Sequence, residues 1–245
     1  MDTSIDPSKW KEYVKDNNNF SQEIPYDFKS IYTKLKLASE NPEQLNPYYT
    51  LSVIYDFTKF FSQISTGLSM GFSDITQKVE QMREKLEEYQ EIENIQDLLY
   101  KEIQLGAYKL NGSNNSSLGH GKDNYSHYIS ASRTFLRLLW FLEFLIDIFE
   151  SISKDNGKTA IKKLIGNSYN KILAPRHTFL VRKAVGMALT FSSAGNVENS
   201  VKIIFQYPQY TEEARKTIGD TIDLMKKIWN GGNDFYTKYK MLDLK

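Results

Sequence analysis

Ser130 to Phe149 reads SASRTFLRLLWFLEFLIDIF, and how this stretch is read decides the fold. On a helix, residues three and four apart share a face, so Arg133, Arg137, Trp140, Phe144 and Ile148 fall in one line. Two cations therefore begin a stripe that continues as hydrocarbon. Burying a pair of guanidinium groups is costly unless an anion meets them, and the planar fork suits the oxygens of a phosphate or carboxylate. The stripe has the outline of a lipid's counterpart, charged at one end and apolar along the rest. Taken alone, the stretch reads first as an amphipathic core helix with two solvated arginines at its exposed start, and other stretches have to decide between the two. Glu143 and Asp147 lie on a different line, where the helix meets water or a surface partner.

The composition narrows the field. A chain of 245 residues forms one large or two small domains and can bury a sizeable core. The 31 basic and 30 acidic residues nearly cancel, which removes the case for bulk nucleic-acid binding and makes any anion recognition local. With no cysteine there is neither a disulfide, a thiol nucleophile nor a thiolate metal site, and with only three histidines, His120, His127 and His177, a histidine-rich metal site is not expected. No cofactor is expected either. The opening MDTSIDPSKWKEYVKD lacks the apolar core of a signal peptide. The longest apolar run, 136–149, is interrupted by two acids and is too short to span a bilayer. These features predict an intracellular, soluble protein.

Residues 1–24 read as a polar, partly ordered extension, with Trp10 and Tyr13 available to pin it to the body, and 25–245 as one folded domain. Phe28, Ile31 and Leu35 repeat at helical spacing. NPEQLNPYY is a turn. From Thr50 to Gln90 the pattern is helical with a break around Gly67 to Gly71. Within it Asp74 and Lys78 sit one turn apart, an arrangement that by itself is an ordinary surface pair. IENIQDLLYKEIQLGAYKL gives another amphipathic helix, and Asn111 to Asn124 a glycine-, serine- and asparagine-rich loop. In LAPRHTFLVRKAVGMALTF, Pro175 fits a first helical turn. From His177 a line then runs through Val181, Ala184, Val185, Ala188 and Phe191, so that a polar group again heads an apolar stripe. EEARKTIGDTIDLMKKIWNGG closes the chain as an amphipathic helix, followed by an aromatic tail. Strand signals are nearly absent and no fixed repeat occurs, so the fold class is all-α.

Three stretches in order, FFSQISTGLSMGFSDITQKVEQM, SRTFLRLLWFLEFL and LAPRHTFLVRKAVGMAL, together resemble the glycolipid transfer protein superfamily, from about residue 26 to the C-terminus. The resemblance implies a two-layer sandwich of about eight helices enclosing one lipid. It further implies that Asp74 accepts hydrogen bonds from the sphingosine amide and hydroxyl while His177 donates to the acyl carbonyl, which satisfies both ends of one amide. Glycolipid-binding members carry an asparagine one turn after the aspartate and a tryptophan that stacks on the sugar. Here Lys78 stands in the first place and Arg137 in the second, with Arg133 one turn before. That pattern resembles the ceramide-1-phosphate branch, in which Lys78, Arg133 and Arg137 would surround a phosphate. Trp140 reads as pocket wall, deeper on the same face.

The expected acyl pocket is lined by Phe72, Val79, Trp140, Phe144, Val181, Val185 and Ala188. Phe179 takes the place of the family's membrane-inserting tryptophan, and Arg176 adds a cation near the mouth or touches membrane phosphate. Lys122 is a candidate for a further phosphate contact. The implied protein is a cytoplasmic, monomeric, non-enzymatic carrier of ceramide-1-phosphate or a related sphingolipid, transiently bound to a membrane surface and with no nucleic-acid partner. A glycolipid or sulfatide carrier of the same fold, or a lipid sensor or scaffold with little transfer, are the alternatives. An enzyme is disfavoured because no nucleophile motif, glycine-rich phosphate loop or metal cluster accompanies the Asp, His and Arg residues.

Overall fold

The first N–H groups of a helix have no partner inside it, and the sequence places a short polar side chain ahead of most helices to meet them. The computed structural model describes residues 27–64, 72–89, 91–110, 128–190 and 195–244. Over these the chain forms nine α-helices: α1 Phe28–Ala38, α2 Pro47–Ile64, α3 Ser73–Glu88, α4 Ile95–Gln104, α5 Ala131–Lys154, α6 Ile161–Ser168, α7 Phe179–Thr190, α8 Val197–Ile204 and α9 Glu212–Lys238. Asp27, Asn94, Ser130, Asn196 and Thr211 each accept a backbone N–H as the cap of α1, α4, α5, α8 and α9, a contribution of about 1 kcal/mol apiece. There is no strand among the described residues, and an isolated antiparallel bridge joins Ala160 to Asn196. The all-helical class is thus the one expected.

The helix α5 is the axis of the packing. Of its 24 residues 15 are buried, too many for a helix covered on one face alone, and it packs against α3, α4, α6 and α9. Each Leu, Ile or Phe so enclosed contributes about 1.5–3 kcal/mol before entropy is set against it. As far as Glu150, what remains half-exposed is a single line: Arg133, Arg137, Trp140, Glu143, Asp147 and Glu150, so the two acids expected on a different line share that of the arginines. Phe144 and Ile148 are buried, at 1% and 0% exposure, so the stripe expected to run Arg133, Arg137, Trp140, Phe144, Ile148 turns away from them. The reason is helical drift. Each four-residue step overshoots a full turn by about 40°, and the covering helices take the drifted positions inside while Glu143 and Asp147 come to the surface. There Arg176 sits 3.3 Å from Glu143 and Lys171 pairs with Asp147.

Two local expectations are corrected. The expected helix end at NGG is absent, because α9 continues through Gly231 and Gly232 to Lys238. A Cβ on Gly231 would lie 1.9 Å from the Pro42 carbonyl oxygen, and one on Gly232 2.7 Å from a Leu139 methyl. The two glycines are there for close approach, which brings Tyr236 into the core to donate its hydroxyl to the Ser132 carbonyl at 2.6 Å. The second correction concerns His177. Pro175 begins no α-helix; it sits in a 3₁₀ turn, Ala174–Arg176, after which His177 is extended with φ −104° and ψ 147°. Helix α7 starts only at Phe179, so His177 stands before the apolar line it was expected to head.

Residues 1–24, the glycines of the expected break at 67–71, the loop 111–124 with His120 and Lys122, His127 and Phe191 lie outside the described residues.

Candidate functional site

Asp74 is the second residue of α3, where the helix dipole favours a carboxylate, and one turn on Lys78 Nζ reaches its Oδ1 at 2.5 Å. This contact looks like a surface pair until its surroundings are taken in. The Lys78 side chain is only 16% exposed whereas that of Asp74 is 64% exposed, so the cation is the inner member. Helix α3 packs on α5, and the Asp74 charge acts on Arg137, holding its guanidinium charged against burial and against the repulsion of Arg133. His177 feels both members of the pair. Burial pushes its imidazole below the ordinary value, Asp74 opposes that shift, and Lys78 reinforces it. The structure therefore brings together Asp74, Lys78, Arg133, Arg137 and His177, from three separate stretches of sequence.

The arginines are poorly partnered. Arg133 donates from Nη2 to the Lys109 carbonyl at 3.0 Å, while its Nε and Nη1 are buried with no acceptor among the described residues. Arg137 donates from Nη1 to the Arg133 carbonyl at 2.6 Å. Burial lowers the pKa of both guanidinium groups. A buried donor without an acceptor costs about 1–3 kcal/mol, and an oxyanion brought to this place would relieve it.

Sequence reasoning missed what holds this end of α5. Glu102 is 0% exposed. Its Oε1 accepts from the Tyr128 hydroxyl at 2.8 Å and the Ala131 N–H at 2.7 Å, and its Oε2 from the Ser130 hydroxyl at 3.0 Å and the Ser132 N–H at 2.7 Å. Its charge also raises the pKa of Arg133 against burial. A signal existed: Glu102 continues the spacing of Ile95, Leu98 and Leu99, so it is a charge on an apolar face. His177 has its own support, since Nδ1 lies 3.0 Å from the hydroxyl of Tyr169, which is 5% exposed. No sequence pattern announces that pair, because a π-helical turn, Tyr169–Leu173, sets it.

Beside the polar cluster the interior is aromatic. Phe72, immediately before α3, stacks on Phe61 at 4.1 Å between ring centres and lies 5.4 Å and 6.2 Å from Phe141 and Phe144. Of the residues expected to line a pocket, Val79 and Phe144 are buried, Phe72, Val185 and Ala188 are half-buried, and Val181 is 40% exposed. Trp140 is not the deep wall expected. It is half-buried on the cation line, with the Arg137 guanidinium 5.8 Å and that of Arg176 4.9 Å from its ring centre. Arg176 is tied inward by Glu143 and by the Ile172 carbonyl. Helix α7 has no buried residue, and Phe179, Leu180 and Met187 are 64%, 76% and 59% exposed.

Among the described residues no helix is long and apolar enough to cross a membrane, and no group of three or more potential metal-binding side chains occurs.

The chain is 24% identical over 225 residues to the human ceramide-1-phosphate transfer protein, an alignment covering 91% of this chain and 98% of that protein. It is 28% identical over 129 residues to the zebrafish ceramide-1-phosphate transfer protein, covering 49% of this chain and 54% of that one. The crystal structure of the human protein in complex with 2:0 ceramide-1-phosphate superposes with a TM-score of 0.73 at 20% identity, covering 91% of this chain and 100% of that one, so the fold is shared. The family model of the glycolipid transfer protein matches residues 46–194, the span that holds all five converging polar groups, and the chain belongs to the glycolipid transfer protein family.

Proposed function

We propose that the protein is a non-enzymatic carrier that takes ceramide-1-phosphate from one membrane face and delivers it to another. The carrying observation is the buried Nε and Nη1 of Arg133, which lack an acceptor among the described residues, next to Arg137, whose guanidinium in turn feels Asp74. A phosphate supplies the oxygens that these donors lack, and a sugar, being itself rich in donors, matches them less well. In this reading Lys78, Arg133 and Arg137 hold the phosphate. Asp74 accepts from the sphingoid amide, His177 donates to the acyl carbonyl, and the chains enter among Phe72, Val79, Phe144, Val185 and Ala188. The exposed Phe179 and Leu180 of α7, followed by Arg182 and Lys183, provide an apolar edge with cations behind it for transient contact with an anionic bilayer. The protein acts as a monomer in the cytoplasm.

The test is transfer of labelled lipid between vesicles. Ceramide-1-phosphate is expected to move faster than galactosylceramide, and Arg137→Leu to slow it roughly ten- to a hundredfold, the equivalent of one charge-assisted hydrogen bond, with helix content unchanged. Faster transfer of galactosylceramide, or full transfer by the Leu variant, would overturn the headgroup assignment.

A further inference from the structure

Tyr169 lies at the start of the π-helical turn that follows α6, eight residues before His177, and is covered to 5% exposure. Its hydroxyl faces Nδ1 of His177 at 3.0 Å, with the two rings 5.7 Å apart and inclined by 45°. The turn and the 3₁₀ segment after it are anchored across α5 by the pairs of Lys171 with Asp147 and Arg176 with Glu143. Nδ1 is therefore the nitrogen turned toward the protein, and Nε2, across the ring, is the nitrogen available to a ligand.

We infer that Tyr169 is a positioning residue that fixes His177 in the Nε2–H tautomer, so that the imidazole presents a donor, and never an acceptor, to the bound lipid. The proton count carries the argument. A neutral imidazole has one N–H, and a tyrosine hydroxyl has one O–H that must find an acceptor when buried. Among the described residues the Tyr169 hydroxyl makes one hydrogen bond, with Nδ1 of His177. If Nδ1 carried the proton, the tyrosine would accept it and its own O–H would be stranded, at a cost close to a full hydrogen bond. If Nδ1 is bare, it accepts the tyrosine O–H, and the proton sits on Nε2 of the half-buried ring. The charged form is disfavoured by burial and by Lys78, although Asp74 works the other way, and burial also raises the Tyr169 pKa, against a phenolate.

The functional half of the inference rests on the carrier reading: a fixed Nε2–H would select lipids with an acyl carbonyl at the amide linkage over those without one. The structural half does not depend on any lipid, and the two are tested separately. Nitrogen-15 NMR of the full-length protein without lipid, with the His177 ring assigned by its loss in His177→Gln, is expected to show Nδ1 unprotonated and Nε2 protonated. Tyr169→Phe is expected to introduce a measurable Nδ1–H population. An Nδ1–H tautomer in the unsubstituted protein, or one unchanged by Tyr169→Phe, would overturn the assignment. In binding assays with ceramide-1-phosphate and sphingosine-1-phosphate vesicles, Tyr169→Phe is expected to weaken the first about three- to tenfold and to leave the second, which lacks the acyl carbonyl, unchanged. Equal weakening of both would remove the selective role. Failure of the unsubstituted protein to bind ceramide-1-phosphate would refute the carrier reading and leave the tautomer assignment standing.

Discussion

Replacing Glu102 by glutamine changes one atom at the centre of the network that starts α5. Both carboxylate oxygens take two donors each, one hydroxyl and one backbone N–H per oxygen. Whichever way the new amide is turned, its NH₂ faces a hydroxyl and a backbone N–H. The hydroxyl of Tyr128 or Ser130 can rotate and accept, but the N–H of Ala131 or Ser132 cannot. One buried N–H, previously held at 2.7 Å, is left without an acceptor, which costs about 1–3 kcal/mol. Loss of the negative charge at the start of a helix adds about 0.3–1 kcal/mol. The sum, roughly 1.5–4 kcal/mol, corresponds to a fall in Tm of roughly 3–15 °C for a domain of this size. Side-chain volume is unchanged, so no cavity contributes. The measurement is thermal and guanidinium unfolding followed by far-UV circular dichroism, with a double-mutant cycle against Tyr128→Phe, for which a coupling above about 0.5 kcal/mol is expected. A Glu102→Gln protein within about 0.5 kcal/mol of the parent, as for an ordinary surface substitution, would refute the claim that this carboxylate holds the helix start.

Glycines within α9 should divide by what faces them. Gly231→Ala drives a methyl into the Pro42 carbonyl and should destabilise by about 3 kcal/mol or more. Gly219→Ala meets nothing within 4 Å and should stabilise by about 0.5–1 kcal/mol through helix propensity, and equal effects in unfolding experiments would contradict the packing. The His177 pKa is lowered in the folded state, chiefly by burial. Below the ordinary value of about 6.5 the unfolded chain takes up the proton first, so this residue's share of stability is intact above that pH and is lost as pH falls below it. Unfolding of His177→Gln should show a weaker loss between about pH 6.5 and 5, and an unchanged pH profile would mean that the imidazole is not desolvated.

The helices of this protein were legible because their causes are local. Phe28, Ile31 and Leu35 in α1 declare themselves within two turns of chain, and the length and greasiness of α5 mark it as the centre before any packing is known. The five polar groups were legible one at a time, each with an ordinary explanation beside it, and only their order along the chain connected them. Trp140 shows the limit. Its three-residue spacing from Arg137 placed it on the right face, but its depth depends on which neighbours cover the helix, and spacing carries no information about neighbours.

What the sequence determined by itself is the all-helical class, the identity of the cationic stripe and the pairing of Asp74 with Lys78, since helical periodicity and residue chemistry act over a few residues. Tertiary structure alone decided that α9 runs on through Gly231 and Gly232, because those glycines answer to Pro42 and Leu139 on other elements. It also decided that Glu102 sits under the start of α5 and that Tyr169 stands against His177. The donors that make the buried carboxylate acceptable lie 26 to 30 residues away, and Tyr169, only eight residues before His177, meets it because the chain between them turns as a π-helix and then a 3₁₀ segment.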